Sequence, residues 1–413
     1  MGRTQSGSRF GRLTNCKFNL QCARMIARTA DQTLKEYEKG FPVIALVGPR
    51  QSGKTTLART LFGDRPYVSL ENLDTREFAR SDPRGFLERY AGGAIFDEIQ
   101  NAVHLLSYLQ ERVDTSRAMG RFIITGSQQY NLREGISQSL AGRVGAVTLL
   151  PFSVEELTAG GAMNGQLDDH LYRGSYPPLY DRPVSPSAWY ENYVASYVER
   201  DVRQIIAVRD LTQFQTFLRL CAGRTGQLLN LSSLADDAGI THNTALAWIS
   251  VLEAGFLLYR LPPHFRSFNK RLTKSPKLFV TDPGLAAWLL GIQSAEQLAF
   301  HPLRGALFET FVVSEFLKAR RHRGLGDALY FWRDRSGLEV DALFDRAGTL
   351  HPAEAKAGAT VTDDMLRNLR RWHAVAGDAA GVASLIYGGT ERYRRSGVRV
   401  LPWCDPVPEE MRA

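Results

Sequence analysis

Short apolar runs punctuate the first third of the chain: PVIALVG from Pro42, AIFDE from Ala94, RFIITGS from Arg121 and AVTLLPF from Ala146. Each has the length of a buried strand, and stretches of helical periodicity separate them. Strands alternating with helices predict a parallel sheet between about Met25 and Leu150, and so an α/β class for this part. From about Phe152 to Arg209 the pattern is helical, interrupted by GSYPPLYDRPVSP. From about Leu211 to Ile292 come short helices and a basic, proline-containing tail. From about Leu303 a long helix leads into short strands and another helix. There is no internal repeat. The longest apolar runs are strand-sized, so no membrane is expected as a partner.

Composition changes this picture little. The chain has 413 residues, of which 44% are hydrophobic and 23% charged, ordinary values for globular domains. The length predicts several domains. Four scattered cysteines (Cys16, Cys22, Cys221, Cys404) suit a reducing cytoplasm. The basic, polar start, MGRTQSGSRFGRLTNC, lacks a secretory pattern and reads as a leader or extension over residues 1–24, with Met25 a candidate start. The formal net charge of +8 favours a polyanionic partner.

The first chemistry lies at GPRQSGKT, Gly48 to Thr55, which fits G-x-x-x-x-G-K-[ST] between an apolar strand and a helix-forming segment. The binding stretch Gly48, Pro49, Arg50, Gln51, Ser52, Gly53, Lys54, Thr55 and Thr56 is expected to curl around the phosphates of ATP. Lys54 reaches the β- and γ-phosphates and the Thr55 hydroxyl ligates Mg²⁺. AIFDE ends in Asp97, expected in the Mg²⁺ shell, and Glu98, expected to polarise the attacking water. RFIITGS ends in Thr125 and Ser127, either of which could orient that water. Arg143 lies between a short helix and the next strand, on the flank of this unit, where it suits donation to a neighbouring subunit's γ-phosphate.

Two further constellations follow. LSSLADDAGITHNTALAWISVLEAGF reads as helix, glycine turn, helix, with Leu246, Ile249 and Leu252 facing the core. His242, Asn243, Thr244 and Ala247 are left exposed to meet phosphates or base edges. The following HFRSFNKRLTKSPK supplies Arg266, Lys270, Arg271, Lys274 and Lys277 with no acid among them, a pattern that binds a phosphate backbone without reading sequence. Near the end, RGALFETFVVSEFLKARRHR reads as a helix with Leu307, Phe311 and Val312 on its apolar side and Glu309 upon it. Strand alternation puts Glu339 and Asp341 on one face, and likewise Glu354 and Lys356. Asp341, Glu354 and Lys356 match the D…E-x-K pattern of metal-dependent nucleases. Two carboxylates would hold Mg²⁺ or Mn²⁺, Lys356 would position the water, and Glu309 could add a ligand. The basic helix end, Lys318 to Arg323, with Arg367, Arg370 and Arg371, offers further charge to phosphate.

Taken in order, VGPRQSGKTTL, AIFDEIQ, FIITGSQQ, SLAGRV, YVERDV, LADDAGITHNTALAWISVLEAGFLLYRLPP, LFVTDPGLAAWLLGI, FETFVVSE, EVDALF and AEAKAG cover nearly the whole chain from about Met25. In these motifs the chain resembles the bacterial and archaeal AAA+ ATPases that carry a C-terminal domain of unknown function. The resemblance implies an AAA+ core (25–152), a helical lid (153–210), a winged-helix domain (211–300) and a PD-(D/E)XK nuclease-like domain (301–413). It also implies a ring-shaped assembly, taken as a hexamer, acting on DNA of branched or structured form. In such lids an arginine often meets the bound nucleotide, and here Arg200 or Arg203 would serve. The leading expectation is a cytoplasmic ATPase that uses ATP and Mg²⁺ to move DNA. The alternatives are an ATP-gated nuclease and a nucleotide switch that scaffolds protein partners.

Overall fold

A computed structural model of the chain describes residues 25–116, 118–127, 139–163, 165–197, 210–265 and 273–412. Strands β1 (Val43–Val47), β2 (Tyr67–Ser69), β3 (Ala94–Asp97), β4 (Phe122–Gly126) and β5 (Val144–Thr148) form one parallel sheet in the order β2-β3-β4-β1-β5. β1, β3 and β4 are buried along their whole length, as strands covered by helices on both faces must be, and this produces their unbroken apolar runs. Along β1 the side chains alternate. Val43, Ala45 and Val47 enter the core that holds Leu105 and Leu109, whereas Ile44 and Leu46 enter the opposite core with Ala30, Leu34, Leu57 and Ala58. β2 has no counterpart among the expected strands, because three residues with an exposed Tyr67 are too few to show a period. The chain leaves β1, which lies between β4 and β5, for the far edge at β2. The crevice beyond the carboxyl ends of such a sheet is where ligands bind.

Helices Val154–Ala159, Leu167–Arg173, Pro178–Asp181 and Pro186–Tyr197 follow the sheet. Next come helices Leu211–Gly223, Leu231–Ala238 and His242–Ala254, with a small antiparallel sheet in which β8 (Lys277–Val280) lies between β6 (Gln227–Leu228) and β7 (Leu258–Leu261). The glycine turn is built as the sequence suggests. Asn230 and Thr241 cap the helices on either side, and Gly239 ends the first in the left-handed region at φ +66°. One expectation fails here: Leu246 is exposed, and Ala245, Trp248, Ile249 and Leu252 form the buried face.

Helix Arg304–Arg321 leads into a mixed sheet, β9 (Leu329–Arg333), β10 (Glu339–Arg346), β11 (Thr349–Lys356), β12 (Ser384–Tyr387), β13 (Tyr393–Arg395) and β14 (Val398–Pro402), ordered β13-β14-β12-β11-β10-β9. Helix Asp363–Ala376 packs on one face through Trp372, beside Trp332. The other face merges with the helices that precede it, and a single apolar cluster runs from Leu150 to Met411. Helix Arg304–Arg321 lies at its centre. Besides Leu307, Phe311 and Val312 it buries Phe308, Val313 and Phe316, so it is enclosed on all sides rather than along one stripe. Much of its basic end is buried or already paired with acids, which leaves less charge for phosphate than expected of it. Lys318 is buried against Glu315 at 2.8 Å, Arg321 pairs with Asp327 at 2.8 Å, Arg323 pairs with Glu155 at 3.1 Å, and His322 is fully buried.

Candidate nucleotide site and a C-terminal carboxylate cluster

The phosphate loop turns from β1 into helix Lys54–Leu61 through two left-handed glycine positions. Gly48, at φ +154°, passes so close to the backbone that a Cβ would sit 2.1 Å from the Leu149 carbonyl oxygen. Gly53, at φ +93°, precedes the helix and offers no side-chain cap, so the first helical N–H groups remain for an anion. Ser52 is fully buried and its hydroxyl lacks a hydrogen-bond partner. The Lys54 ammonium donates to the carbonyls of Gly48 (3.0 Å) and Pro49 (2.7 Å). Phosphate oxygens, being charged, make stronger partners than these carbonyls. Uncapped helix, orphaned hydroxyl and lysine together fit a nucleotide polyphosphate.

At the end of β3, Asp97 gathers three hydroxyls. Thr55 donates at 2.9 Å, Tyr67 donates at 2.8 Å, and Thr125 makes a short hydrogen bond. Thr55 and Asp97 thus stand together as Mg²⁺ ligands would have to. Glu98 adopts a left-handed backbone, φ 57°, which turns its side chain away from that of Asp97. Its carboxylate accepts from Ser127 at 3.1 Å and from Gln100, whose amide also donates to Ser127 at 3.0 Å. Thr125 and Ser127 therefore serve different acids: Thr125 fixes Asp97, and Ser127 stands beside Glu98.

Sequence reasoning missed Tyr67, Gln100 and Arg28. Tyr67 comes from the short strand β2, and burial followed by its bond to Asp97 pushes its hydroxyl up to about 12. Arg28 precedes the first helix as an unremarkable basic residue. It is buried, donates to the carbonyls of Ser52 (2.8 Å) and Leu150 (2.6 Å), and pairs with Glu156 at 3.2 Å. Burial opposes charge on Glu156, but Arg28 prevails and holds this carboxyl well below its usual range. Glu156 in turn faces His322 at 3.2 Å, so the phosphate loop is linked to the helices behind it. Gln51 makes a second link, accepting from the Trp189 indole at 3.2 Å.

Arg143 precedes the edge strand β5 and makes a two-pronged pair with Asp114. It stands on the flank of the sheet, apart from the Lys54 cluster. His242 and Asn243 are exposed at the start of their helix, and Lys274 is exposed as well. Arg200, Arg203, Arg266, Lys270 and Arg271 lie outside the described residues.

The C-terminal constellation converges, with one addition that alters its chemistry. Lys356 meets Glu354 at 2.9 Å and Asp341 at 3.5 Å. Asp341 also accepts from the Ala355 N–H at 3.0 Å. Into this group comes Lys277 from β8, which the sequence had placed among the phosphate-binding cations. Only 2% of it is exposed. Its ammonium lies 2.8 Å from Glu309 and 3.7 Å from Asp341, and makes a short ion pair with Glu339. Glu339 is further paired with Arg333 at 3.1 Å. Burial opposes the Lys277 charge, yet Glu309, Asp341 and Glu339 hold its ammonium well above the usual lysine range. Burial, with the Asp341 charge adding to it, pushes Glu309 up to about 7 and Glu354 up to about 8. Among the described residues no group of three or more acids, histidines or cysteines is arranged to hold a metal ion. The expected Mg²⁺ or Mn²⁺ on Asp341 and Glu354 does not fit carboxylates already paired with Lys356, with a second buried ammonium, Lys277, 3.7 Å from Asp341.

The sheet order, the glycine loop and the acids on β3 define a P-loop ATPase domain. Residues 40–158 match the AAA domain family, and residues 164–296 and 304–405 match two families described as domains of unknown function, DUF8612 and DUF4143. The chain thus joins an AAA-type P-loop domain to a C-terminal DUF4143 domain. Two uncharacterized proteins, of Mycobacterium bovis and Mycobacterium tuberculosis, are each 28% identical to it over 392 residues, 94% of this chain and 86% of theirs. Among solved structures it is similar to a Walker-type ATPase of Pyrococcus abyssi (17% identity, TM-score 0.42, 64% of this chain and 96% of that one). It is also similar to RuvB of Thermotoga maritima (19%, TM-score 0.28, 56% and 87%). The parallel sheet and its glycine loop by themselves give the P-loop fold. No helix among the described residues is long and apolar enough to cross a membrane.

Proposed function

We propose that this chain hydrolyses ATP with Mg²⁺ and uses the cycle to act on DNA as a ring-shaped assembly of six identical subunits. The observation that carries the ATPase reading is the juxtaposition of Lys54, Thr55, Asp97, Glu98 and Ser127 at the carboxyl edge of one parallel sheet. Lys54 and the loop N–H groups hold the β- and γ-phosphates. Thr55 and Asp97 would hold Mg²⁺, which neutralises charge developing on the phosphoryl oxygens. Glu98 takes a proton from the attacking water, and Ser127, bonded to Glu98, orients it. Arg143 leaves Asp114 to reach a neighbour's γ-phosphate.

DNA is supported by the net charge of +8, by the polar helix start at His242, Asn243 and Thr244, and by the exposed Lys274 of the later basic run. Arg266, Lys270 and Arg271 complete the proposed phosphate-binding set. The test is ATP turnover and gel retardation on duplex, forked, four-way and single-stranded DNA, each with and without Mg²⁺. Binding to at least one of these, with turnover raised by it, is expected. Turnover indifferent to every DNA would replace this reading with a nucleotide switch that scaffolds protein partners.

A further inference from the structure

The carboxylate cluster between β8 and the C-terminal sheet contains more charge than a buried region ordinarily holds. Glu309 comes from the central helix, Glu339 and Asp341 from β10, and Glu354 from β11. Facing them are Lys277, Lys356 and Arg333. Charges taken out of water must be paired and hydrogen-bonded, or the fold is destabilised. Lys277 meets that demand from a different part of the chain. Its ammonium stands over the Phe331 ring, touches Glu309 and Glu339, and approaches Asp341. A hard divalent ion would also seek several carboxylate oxygens around one point. Among Glu309, Glu339 and Asp341 that position is already taken by the Lys277 ammonium, tethered in β8, while Lys356 spans Asp341 and Glu354 beside it.

We propose that Lys277 is the resident cation of this cluster: it fills the seat a divalent metal would take, locks the small β6-β8-β7 sheet to the C-terminal domain, and leaves that domain without a metal centre. The cluster is then a counter-ion clamp and not a hydrolytic site. The Asp341, Glu354 and Lys356 pattern keeps its geometry while Lys277 keeps the metal out by charge and by volume. This inference does not depend on the ATPase reading, because it concerns residues of a different domain.

The test is Mn²⁺ binding to the full chain without nucleotide, followed by electron paramagnetic resonance, in wild type, Lys277→Ala, Lys277→Arg and Lys277→Ala/Asp341→Asn. Wild type and Lys277→Arg should show no site that depends on Asp341. Lys277→Ala, which removes the ammonium and opens space, should gain one, at least about a hundredfold tighter than wild type, since a +1 charge within a few ångströms of a dication is strongly repulsive. The double variant should lose it again. A well-folded Lys277→Ala that gains no site, or a wild type with an Asp341-dependent site, overturns the proposal. Should Lys277→Ala fail to fold, amine acylation of wild type decides. Lys277 should stay protected with and without millimolar Mn²⁺. Labelling of Lys277 provoked by Mn²⁺ would show that metal displaces it.

Discussion

At the scale of single residues, the phosphate loop separates binding from chemistry. Lys54→Ala removes the point charge that meets the phosphates, and ATP turnover should fall to background in a phosphate-release assay. Glu98→Gln keeps the loop and Asp97 intact. It should still bind ATP in equilibrium dialysis while hydrolysing it about 10²-fold or more slowly, the usual contribution of a general base. Normal turnover in that variant would remove Glu98 from its role. Tyr67→Phe deletes the 2.8 Å bond to Asp97 without touching a phosphate. A partner behind a metal-binding carboxylate typically matters about 10- to 100-fold, so the Mg²⁺ concentration for half-maximal turnover should rise by roughly tenfold while saturating turnover changes less. A structural role alone would leave the Mg²⁺ dependence where it was. A different residue contributes to acid stability. Burial, with Lys318 and Arg173 adding to it, pushes His170 down to about 3 from 6.5. Below pH 6.5 the unfolded chain takes up a proton that the folded His170 refuses until about pH 3. Its contribution is therefore complete above pH 6.5 and is lost as the pH falls, by up to about 1.4 kcal/mol per pH unit. Melting temperatures of wild type should drop between neutral pH and pH 5, and His170→Phe should drop less. Equal slopes would mean that His170 titrates normally.

At the scale of elements, helix Arg304–Arg321 shows why a helical pattern does not reveal how much of a helix is covered. Three of its buried polar residues are met by distant segments. Thr310 meets Thr225 at 2.7 Å, Glu315 accepts from the Val154 N–H at 2.8 Å, and Lys318 donates to Ser175 at 3.1 Å. Phe311→Ala should cost about 3–5 kcal/mol in denaturant unfolding, as large aromatic deletions in closed cores do. Helix His242–Ala254 is the opposite case, with its amino-terminal residues in solvent. Replacing Lys270, Arg271 and Lys274 with alanine should weaken binding to all DNA sequences alike. The log–log salt slope should flatten by roughly 0.9 for each phosphate no longer neutralised. An unchanged slope would show that these cations do not meet phosphate.

At the scale of the whole molecule, the β1–β5 sheet has cores of its own, while the helices that follow Leu150 share one extended core with one face of the C-terminal sheet, whose other face packs separately with helix Asp363–Ala376. Arg28, Glu156 and His322 join the two regions directly behind the phosphate loop. Arg143 belongs to the outer flank of the sheet and is held by Asp114 of its own chain. If it acts on a neighbour, Arg143→Ala should keep nucleotide affinity and lose turnover by about 10³-fold or more. Mixing it with Lys54→Ala subunits should restore some activity, because each chain then supplies what the other lacks. Assemblies that form in the mixture without any rescue would confine Arg143 to its own subunit.

The sequence by itself determined the α/β sheet and the phosphate loop, for a local reason. Buried parallel strands must be apolar throughout, and a loop that wraps phosphate needs glycine at particular positions and lysine directly after, so the information is contiguous. The acids of β3 were readable for the same reason, as they end one such strand. Tyr67 and Arg28 were not, since each acts across the fold from a segment with no pattern of its own. The D…E-x-K residues were legible as a group on adjacent strands, and alternation placed them on one face. What only the tertiary structure decided was the cation among them. Lys277 looked like one more member of a solvent-facing basic run, no different in kind from Lys274. Strand β8 turns the one inward, where it is 2% exposed among carboxylates, and leaves the other in water. Local sequence encodes the charge of a lysine, but its partner is chosen by the packing of segments that lie far apart along the chain.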